Sequence, residues 1–149
     1  MTIPTEVIER MAALAAESNL QIPPPIFLEM EGRIETVDLP NKRLTISFPV
    51  QAKYQNPLGY MQGGMIATAV DNAIGPLSFL VAPPSVTKTL TMSYLLPVKP
   101  TAERIWVTAQ YNGREGAELR FSAEVHTAEG TVLAKGEAVH SILRSRPRE

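Results

Sequence analysis

The segment between Lys53 and Lys88 constrains the fold more than any other part of this sequence. Its 34 residues carry one formal charge, at Asp71. Apolar residues at helical spacing predict a long helix over residues 63–81, which Gly75-Pro76 is expected to kink or divide. A helix this apolar must be buried in a folded domain, so the rest of the chain has to supply a surface that covers it.

Strand patterns flank this helix on both sides. Residues 43–50 alternate apolar and polar side chains, which is the period of a half-buried strand. Four similar runs follow the helix, and the short turns between them predict antiparallel neighbours. The order predicts an α+β domain in which a curved antiparallel sheet wraps around a long central helix. The predicted strands cover residues 31–38, 43–50, 86–97, 104–112, 117–127 and 131–143, with turns at Pro40-Asn41, Lys99-Pro100, Asn112-Gly113 and Glu129-Gly130.

The beginning of the chain has a different pattern. An amphipathic helix is predicted over residues 5–18, and Pro23-Pro24-Pro25 prevents its continuation. We therefore divide the chain into an N-terminal helix with a proline-rich linker, residues 1–25, and a main domain, residues 26–149. A chain of 149 residues is long enough for one sizeable core.

Composition excludes several classes of function. The formal net charge is −1, so no bulk field favours nucleic acid or an anionic membrane. The absence of cysteine removes disulfides and thiolate chemistry, and two histidines are too few for a multi-histidine metal site in one chain. The first residues lack the basic start and apolar core of a signal peptide, and Gly, Pro and Asp71 interrupt the longest apolar stretch. We expect a cytoplasmic protein with no nucleic-acid partner and no membrane insertion.

Asp71 and the pair Gly63-Gly64 are the candidate chemical groups of the long helix. A lone carboxylate among apolar residues is costly unless it is paired, so Asp71 is either functional or bonded to the backbone or Lys88. The first helical turn leaves N–H groups unpaired at the positive end of the helix dipole, and glycine lets a ligand approach them. These features match an oxyanion site for acyl transfer.

The spacing between these groups bears on the assembly. Asp71 follows Gly63 by eight residues, which separates them by about 12 Å along a helix. That is too far for both groups to touch one acyl carbon. If they share a substrate atom, the second group must come from another copy of the chain, so the spacing predicts a dimer.

The same segment resembles the PaaI-like branch of the hotdog acyl-CoA thioesterases. Asn56, Gly59, Gly63-Gly64 and Asp71 fall in register with the pattern of that family, and residues 90–98 resemble its Tyr-x-x-Pro strand. The resemblance covers about residues 30–143. It implies a hotdog fold and hydrolysis of an acyl-CoA thioester without a metal or redox cofactor, coenzyme A being part of the substrate. It also implies a homodimer with the active site at the interface, or a homotetramer.

The resemblance implies a role for each matching residue. Asp71 would be the nucleophile or the general base, the Gly63 amide would polarise the thioester carbonyl, and Asn56 would hold water or that carbonyl. Thr87 matches a helper hydroxyl of this branch, and Thr89, which regular alternation places on the same face of the predicted strand, competes for the role. The remaining candidates are substrate-binding residues, namely Gln62, Gly64, Thr89 and Met65.

One position departs from the family pattern. Gln62 stands where the family has a histidine before the glycine pair, and glutamine does not titrate. His126 and His140 lie in strand patterns and are predicted to be surface or core residues far from the motif. A dehydratase or hydratase, which needs a paired histidine and acid, is therefore disfavoured. A non-catalytic protein that binds an acyl ligand remains the alternative, and the acyl group itself is left open.

Overall fold

A computed structural model describes residues 3–18 and 20–144 of the chain. From the sequence, Arg144, Arg146 and Arg148 are candidates for binding coenzyme A phosphates, and a solvated basic tail is the favoured interpretation. Arg146 and Arg148 lie outside the described residues, and Arg144 is exposed. The helices are α1 (Thr5–Ser18), α2 (Pro25–Glu29) and α3 (Gly63–Val81), with a 3-10 turn at Ala52–Tyr54. The strands are β1 (Arg33–Asp38), β2 (Arg43–Pro49), β3 (Ser85–Tyr94), β4 (Arg104–Glu115), β5 (Glu118–His126) and β6 (Val132–Ile142).

The six strands form one antiparallel sheet in the order β1-β2-β4-β5-β6-β3. The predicted α+β arrangement, a sheet around one long helix with an extra N-terminal helix, is confirmed. The prediction that all four strands after the helix are sequential neighbours is wrong for β3, which pairs with β6 and not with β4. Residues 95–103 are the reason, because this connection is long enough to carry the chain past β6 and β5 to the position of β4.

The core lies between α3 and the inner face of the sheet. Val70, Ile74 and Leu77 of α3 are fully buried against alternate residues of the strands, such as Ile46 and Phe121. Each such side chain stabilises the fold by about 1.5–3 kcal/mol relative to exposure. This packing keeps α3 continuous through Pro76, so the predicted division of the helix at Gly75-Pro76 is wrong.

The N-terminal helix is confirmed at residues 5–18 and packs on α3. Val7 is buried, and the Arg10 Nε donates to the Phe79 carbonyl oxygen at 2.9 Å. The short helix α2 was missed by the sequence patterns. It begins at Pro25, and proline is well suited to the first position of a helix because its N–H would be unpaired there anyway.

Two chain segments differ from their sequence signals. Asn112-Gly113 is a bulge inside β4 and not the predicted turn, and the chain reverses at Gly116 instead. Both Gly113 and Gly116 have positive φ, so the chain could reverse at either glycine, and the pairing of β4 with β5 places the reversal at Gly116.

The helix α3 meets the length and composition of a membrane span, and in this fold it is the central helix of the domain.

Candidate active site

The carboxylate of Asp71 is held by Thr87. The Thr87 Oγ1 donates to the Asp71 Oδ1 at 2.9 Å, which joins the middle of α3 to the start of β3. Asp71 is half-buried. Lys88 does not pair with Asp71. Its Nζ lies 3.3 Å from a carboxylate oxygen of Glu118 instead.

A bulge in β3 determines which threonine reaches Asp71. The Cα partner of Thr87 is His140, and the partner of Thr89 is Val139, so the register shifts by one residue at Lys88. Thr87 therefore faces α3, whereas Thr89 faces the outer surface and lines a second, polar cavity together with Arg120. The hydroxyl that contacts Asp71 is therefore that of Thr87 and not that of Thr89, and the expectation that Thr87 and Thr89 share a face is wrong.

His140 lies beside this pair, against the prediction that both histidines are far from the motif. Its Nε2 is 3.3 Å from the Thr87 Oγ1, and its Nδ1 is 3.0 Å from the Ser85 Oγ. The side chain is only 2% exposed. Burial lowers the pKa of His140, and the nearby charge of Asp71 opposes that change. The strand pattern could indicate the face of His140, but only the pairing of β6 with β3 brings it to Thr87.

Gly63 is the first residue of α3, and Tyr94 covers it. The Tyr94 Oη donates to the Gly63 carbonyl oxygen at 2.7 Å, and a Cβ atom at Gly63 would lie 3.2 Å from the tyrosine ring. The preceding residue, Gln62, makes no side-chain cap and is exposed. In the first turn of a helix the amide N–H of Gly63 has no intrahelical acceptor, so it is available to a ligand. Gly64 differs, since a Cβ atom at that position would meet only open space.

Asn56 organises the loop that precedes α3. Its Oδ1 accepts hydrogen bonds from the backbone N–H groups of Leu58 and Tyr60, at 2.9 and 3.1 Å. These two donors identify the oxygen of the side-chain amide. The Nδ2 group is the part of Asn56 that remains to bind a ligand, and it is a donor. Of the two roles considered for Asn56, holding a carbonyl oxygen therefore fits better than accepting from water.

Asn56 and Gly63 line the same cavity, which has a volume of about 290 Å³. Its walls are largely apolar, and half of the wall residues come from the segment that follows β3. Met61 lines the cavity, whereas Ile74 and Leu77 of α3 are fully buried in the core. Gln62, Gly64 and Met65 do not line it. The wall residues are Tyr60, Met61, Ile66, Tyr94, Leu95, Leu96, Pro97 and Val98.

One chain does not bring the two groups together. Gly63 and Asp71 belong to the same continuous helix, so about 12 Å of helix separates them. Among residues 3–18 and 20–144, no group of three or more His, Asp or Glu side chains is arranged to hold a metal ion. The site consists of a carboxylate at one end and N–H donors beside an apolar cavity at the other.

A six-stranded antiparallel sheet around one long helix defines a protein of the hotdog fold. Comparison with solved structures confirms this class. At the level of the fold, it also confirms the resemblance to PaaI-like thioesterases. No protein-family model matches the chain, and no curated protein sequence matches it.

Three of these structures illustrate the similarity. The PaaI protein of the E. coli phenylacetic acid degradation operon superposes with a TM-score of 0.77 at 14% identity, covering 96% of this chain and 97% of that one. A phenylacetic acid degradation-related protein from Ralstonia eutropha JMP134 gives 0.76 at 20% identity, over 89% and 99%. A thioesterase family protein from Silicibacter pomeroyi gives 0.74 at 16% identity, over 93% and 99%.

Proposed function

We propose that this protein is an acyl-CoA thioesterase, which hydrolyses a thioester to a free acid and coenzyme A. The observation that carries the proposal is the arrangement of two sets of groups along β3. Thr87 holds Asp71 near the start of the strand, and Tyr94 contacts Gly63 at its end. The first set offers a nucleophile or base, and the second offers an oxyanion site. Thioester hydrolysis requires both.

The two sets would meet in a homodimer. β3 is an edge strand that pairs with β6 alone among the described strands, and such an edge is a template for pairing with another chain. Antiparallel pairing of two β3 strands about a two-fold axis at Thr91 would keep opposing side chains on the same face of the sheet. It would set Tyr94 opposite the bulge at Lys88 of the partner subunit, next to Thr87 of the partner subunit. Asp71 would then approach Gly63 of the partner subunit.

Exposed apolar side chains support an interface at this edge. Val86 and Tyr94, near the two ends of β3, are 51% and 49% exposed, and Leu95 and Leu96 follow at 55% and 49%. Clusters of large exposed apolar residues are typical of surfaces that bind another protein. A dimer buries this edge, and a tetramer built from two such dimers is compatible with it.

The proposed reaction uses side chains, backbone N–H groups and water. As a general base, Asp71 takes a proton from water while the water oxygen attacks the carbonyl carbon. The Gly63 N–H and the Asn56 Nδ2 of the other subunit donate to the oxyanion that forms. The C–S bond then breaks, and the thiolate leaving group receives the proton. As a nucleophile, Asp71 would instead attack the carbonyl carbon, and the C–S bond would break to give a mixed anhydride and the coenzyme A thiolate, which takes a proton from solvent. Water then hydrolyses the anhydride to the free acid and restores the carboxylate.

The cavity supports an apolar acyl group as the substrate class. Its volume of about 290 Å³ and its apolar walls lie directly beside the proposed oxyanion donors. Aryl-acetyl groups and medium-chain aliphatic groups both satisfy these conditions. Acyl-CoA esters are the proposed substrates of this protein, for which we propose a cytoplasmic location, and an acyl-carrier protein is the competing thioester donor.

A thiol-release assay with a panel of acyl-CoA esters tests the proposal. We expect release from at least one aryl or medium-chain ester, and Asp71→Asn should lower kcat by about 10²–10⁴-fold. The chain contains one other aspartate, Asp38, which caps an exposed turn by accepting from Asn41 and is the matched control. Asp38→Asn should leave kcat unchanged. Binding of several esters without release of thiol from any would instead favour the acyl-ligand-binding alternative.

Subunit complementation tests whether each site uses two chains. Asp71→Asn and Asn56→Ala subunits are each expected to be inactive. In a heterodimer of the two, Asn56 of the first subunit meets Asp71 of the second, so one intact site forms. Random mixing should restore about a quarter of the wild-type activity, because half of the dimers are mixed and each has one good site of two. Activity that stays at the level of the separate variants would refute the shared site.

A further inference from the structure

His140 is a buried titratable group that the proposed reaction does not use. It lies on β6 with both ring nitrogens close to hydroxyl groups of β3, Nδ1 to Ser85 at 3.0 Å and Nε2 to Thr87 at 3.3 Å. Thr87 in turn donates to Asp71. Four side chains from three elements are thus connected in one line that ends at the candidate catalytic carboxylate.

Elementary hydrogen-bond rules fix the direction of this line. An ionised carboxylate can only accept, so Thr87 gives its single proton to Asp71. The Thr87 oxygen is then an acceptor, and the group that faces it, His140 Nε2, must carry a proton. A neutral imidazole has one N–H, so Nδ1 is unprotonated and accepts from Ser85. Burial favours the neutral imidazole because it lowers the pKa of His140.

We propose that Ser85, His140 and Thr87 form a directed hydrogen-bond chain that orients the Asp71 carboxylate, with His140 as a positioning residue. The inference rests on the proposed thioesterase function, and it identifies what holds the base of that reaction. Thr87 occupies Oδ1 of the carboxylate. The chain restricts rotation of the group, so that Oδ2 is presented to water or substrate. Correct orientation of a reacting group contributes strongly to rate.

The surroundings of His140 support a specific role for the chain. The bulge at Lys88 is what turns Ser85 and Thr87 inward together. From β5, Leu119 pairs with His140 across the sheet, and the Phe121 ring lies 4.9 Å from the imidazole, centroid to centroid. Asp71 on α3 is the charged group that acts on the ring. The buried members of the network, Ser85 and His140, have to be hydrogen-bonded to be tolerated in an apolar layer, and a directed chain meets that condition.

The tautomer of His140 tests the chain without reference to activity. The sequence contains two histidines, so 15N imidazole spectra of the folded protein contain two sets of signals. His126 is the internal control, because its Nδ1 faces the Thr127 carbonyl oxygen at 2.9 Å and must carry the proton. We expect opposite tautomers at neutral pH, Nδ1–H for His126 and Nε2–H for His140. An Nδ1–H or imidazolium form of His140 would overturn the proposal.

Substitution of Thr87 tests whether the His140 Nε2–H donates to the Thr87 hydroxyl. Thr87→Val removes the acceptor of the His140 Nε2–H, so the His140 signals should shift while those of His126 stay in place. Equal or absent changes in both rings would count against the chain. The spectroscopic comparison remains decisive even if the protein releases no thiol from any ester. Absence of thiol release would refute the thioesterase proposal but not the hydrogen-bond chain.

Kinetics tests the positioning role. His140→Leu removes both contacts, and we expect kcat to fall about 10–100-fold with KM little changed, since the loss is one of orientation. His140→Gln keeps an N–H donor without titrating and should recover most of the rate. His126→Leu is the matched control on the outer face of the sheet and should keep the wild-type kcat.

If His140→Leu does not fold, Ser85→Ala removes the donor to Nδ1 and should give a smaller loss of kcat in the same direction. Full kcat in a folded His140→Leu enzyme would reject the inference and leave the proposed function intact.

Discussion

The hydroxyl of Tyr94 donates to the carbonyl oxygen of Gly63 at 2.7 Å, which joins the end of β3 to the first turn of α3. This contact holds the backbone N–H of the helix N-terminus beside the apolar cavity. It also explains why residue 63 is a glycine, since a Cβ atom there would be 3.2 Å from the tyrosine ring. The geometry of the proposed oxyanion site therefore depends on a residue 31 positions later in the sequence.

Gly63→Ala should displace Tyr94 and impair catalysis. The new methyl group either moves the tyrosine ring or tilts the first turn of α3, and both change the direction of the Gly63 N–H. We expect kcat to fall about 10²–10³-fold, the size of effect seen when one oxyanion donor is lost. The measurement is steady-state thiol release with the best ester of the panel.

Gly75→Ala is the control for that substitution. Gly75 lies in the same helix with open space around a new Cβ, and it is remote from the cavity lining. Because alanine is the better helix former, this variant should be more stable by about 1 kcal/mol and equally active. Loss of activity in both variants would mean that α3 tolerates no change, and the oxyanion role of Gly63 would lose its support.

Thr87→Val should lower kcat while leaving the fold intact. Valine has the shape of threonine but cannot donate, so Asp71 loses the bond that orients it and His140 loses its acceptor. We expect a reduction of about 10–100-fold, measured as kcat with circular dichroism as the check on folding. Thr91→Val, the same change on the outer face of β3, should have the wild-type kcat. Equal rates in all three proteins would rule out a helper role for Thr87.

The sequence predicted α1, α3 and the six strands because their signals are local. The helix over residues 5–18, the hairpin of β1 and β2, and the long helix from Gly63 follow from periodicity and from turn residues. The glycine pair and Asp71 could be singled out as candidates for the same reason, since helix termini and isolated charges are visible in a sequence. These features need no knowledge of which strands pair.

The features that were missed depend on pairing between distant segments. The bulge at Lys88 shifts the alternation of side chains along β3 by one residue, so Thr87 and Thr89 point to opposite faces of the sheet. Regular alternation had placed both on the same face. His140 was assigned to a remote position because its neighbour Thr87 is 53 residues away. Tyr94 belongs to the recognised Tyr-x-x-Pro motif, but its contact with Gly63 follows only from the pairing of β3 with β6. Long-range register was the information that sequence patterns lacked.

Tyr54→Phe should stabilise the protein. Tyr54 is 7% exposed, and its hydroxyl is a buried polar atom without a hydrogen-bond partner within residues 3–18 and 20–144. Burial also raises the pKa of this phenol. Removing an unsatisfied hydroxyl recovers part of a desolvation cost of about 1–3 kcal/mol. Urea unfolding should show a higher midpoint for the variant at an unchanged m-value, and a clearly lower midpoint would mean that the hydroxyl has a partner.

The free energy of unfolding should depend on pH through the titration of His140. Its pKa is lowered in the folded protein by burial, and Asp71 opposes this shift only in part. Between the lowered folded pKa and the ordinary value of 6.5, the unfolded chain binds more protons than the folded one. The contribution of His140 to stability is therefore fully present above pH 6.5 and is lost as the pH falls through the folded pKa.

Urea unfolding measured at intervals from pH 7.5 down to the acid range tests this sign. The wild-type protein should lose stability below pH 6.5, and His140→Gln should have a flatter profile over that window because glutamine does not titrate. The bonded carboxylates do not interfere, since Glu35 and Asp38, whose pKa values are lowered from 4.5 and 3.8 by hydrogen bonds, titrate at more acid pH. If His140→Gln has the wild-type slope, His140 does not titrate differently on folding, and the neutral imidazole required by the chain from Ser85 to Asp71 loses its thermodynamic support.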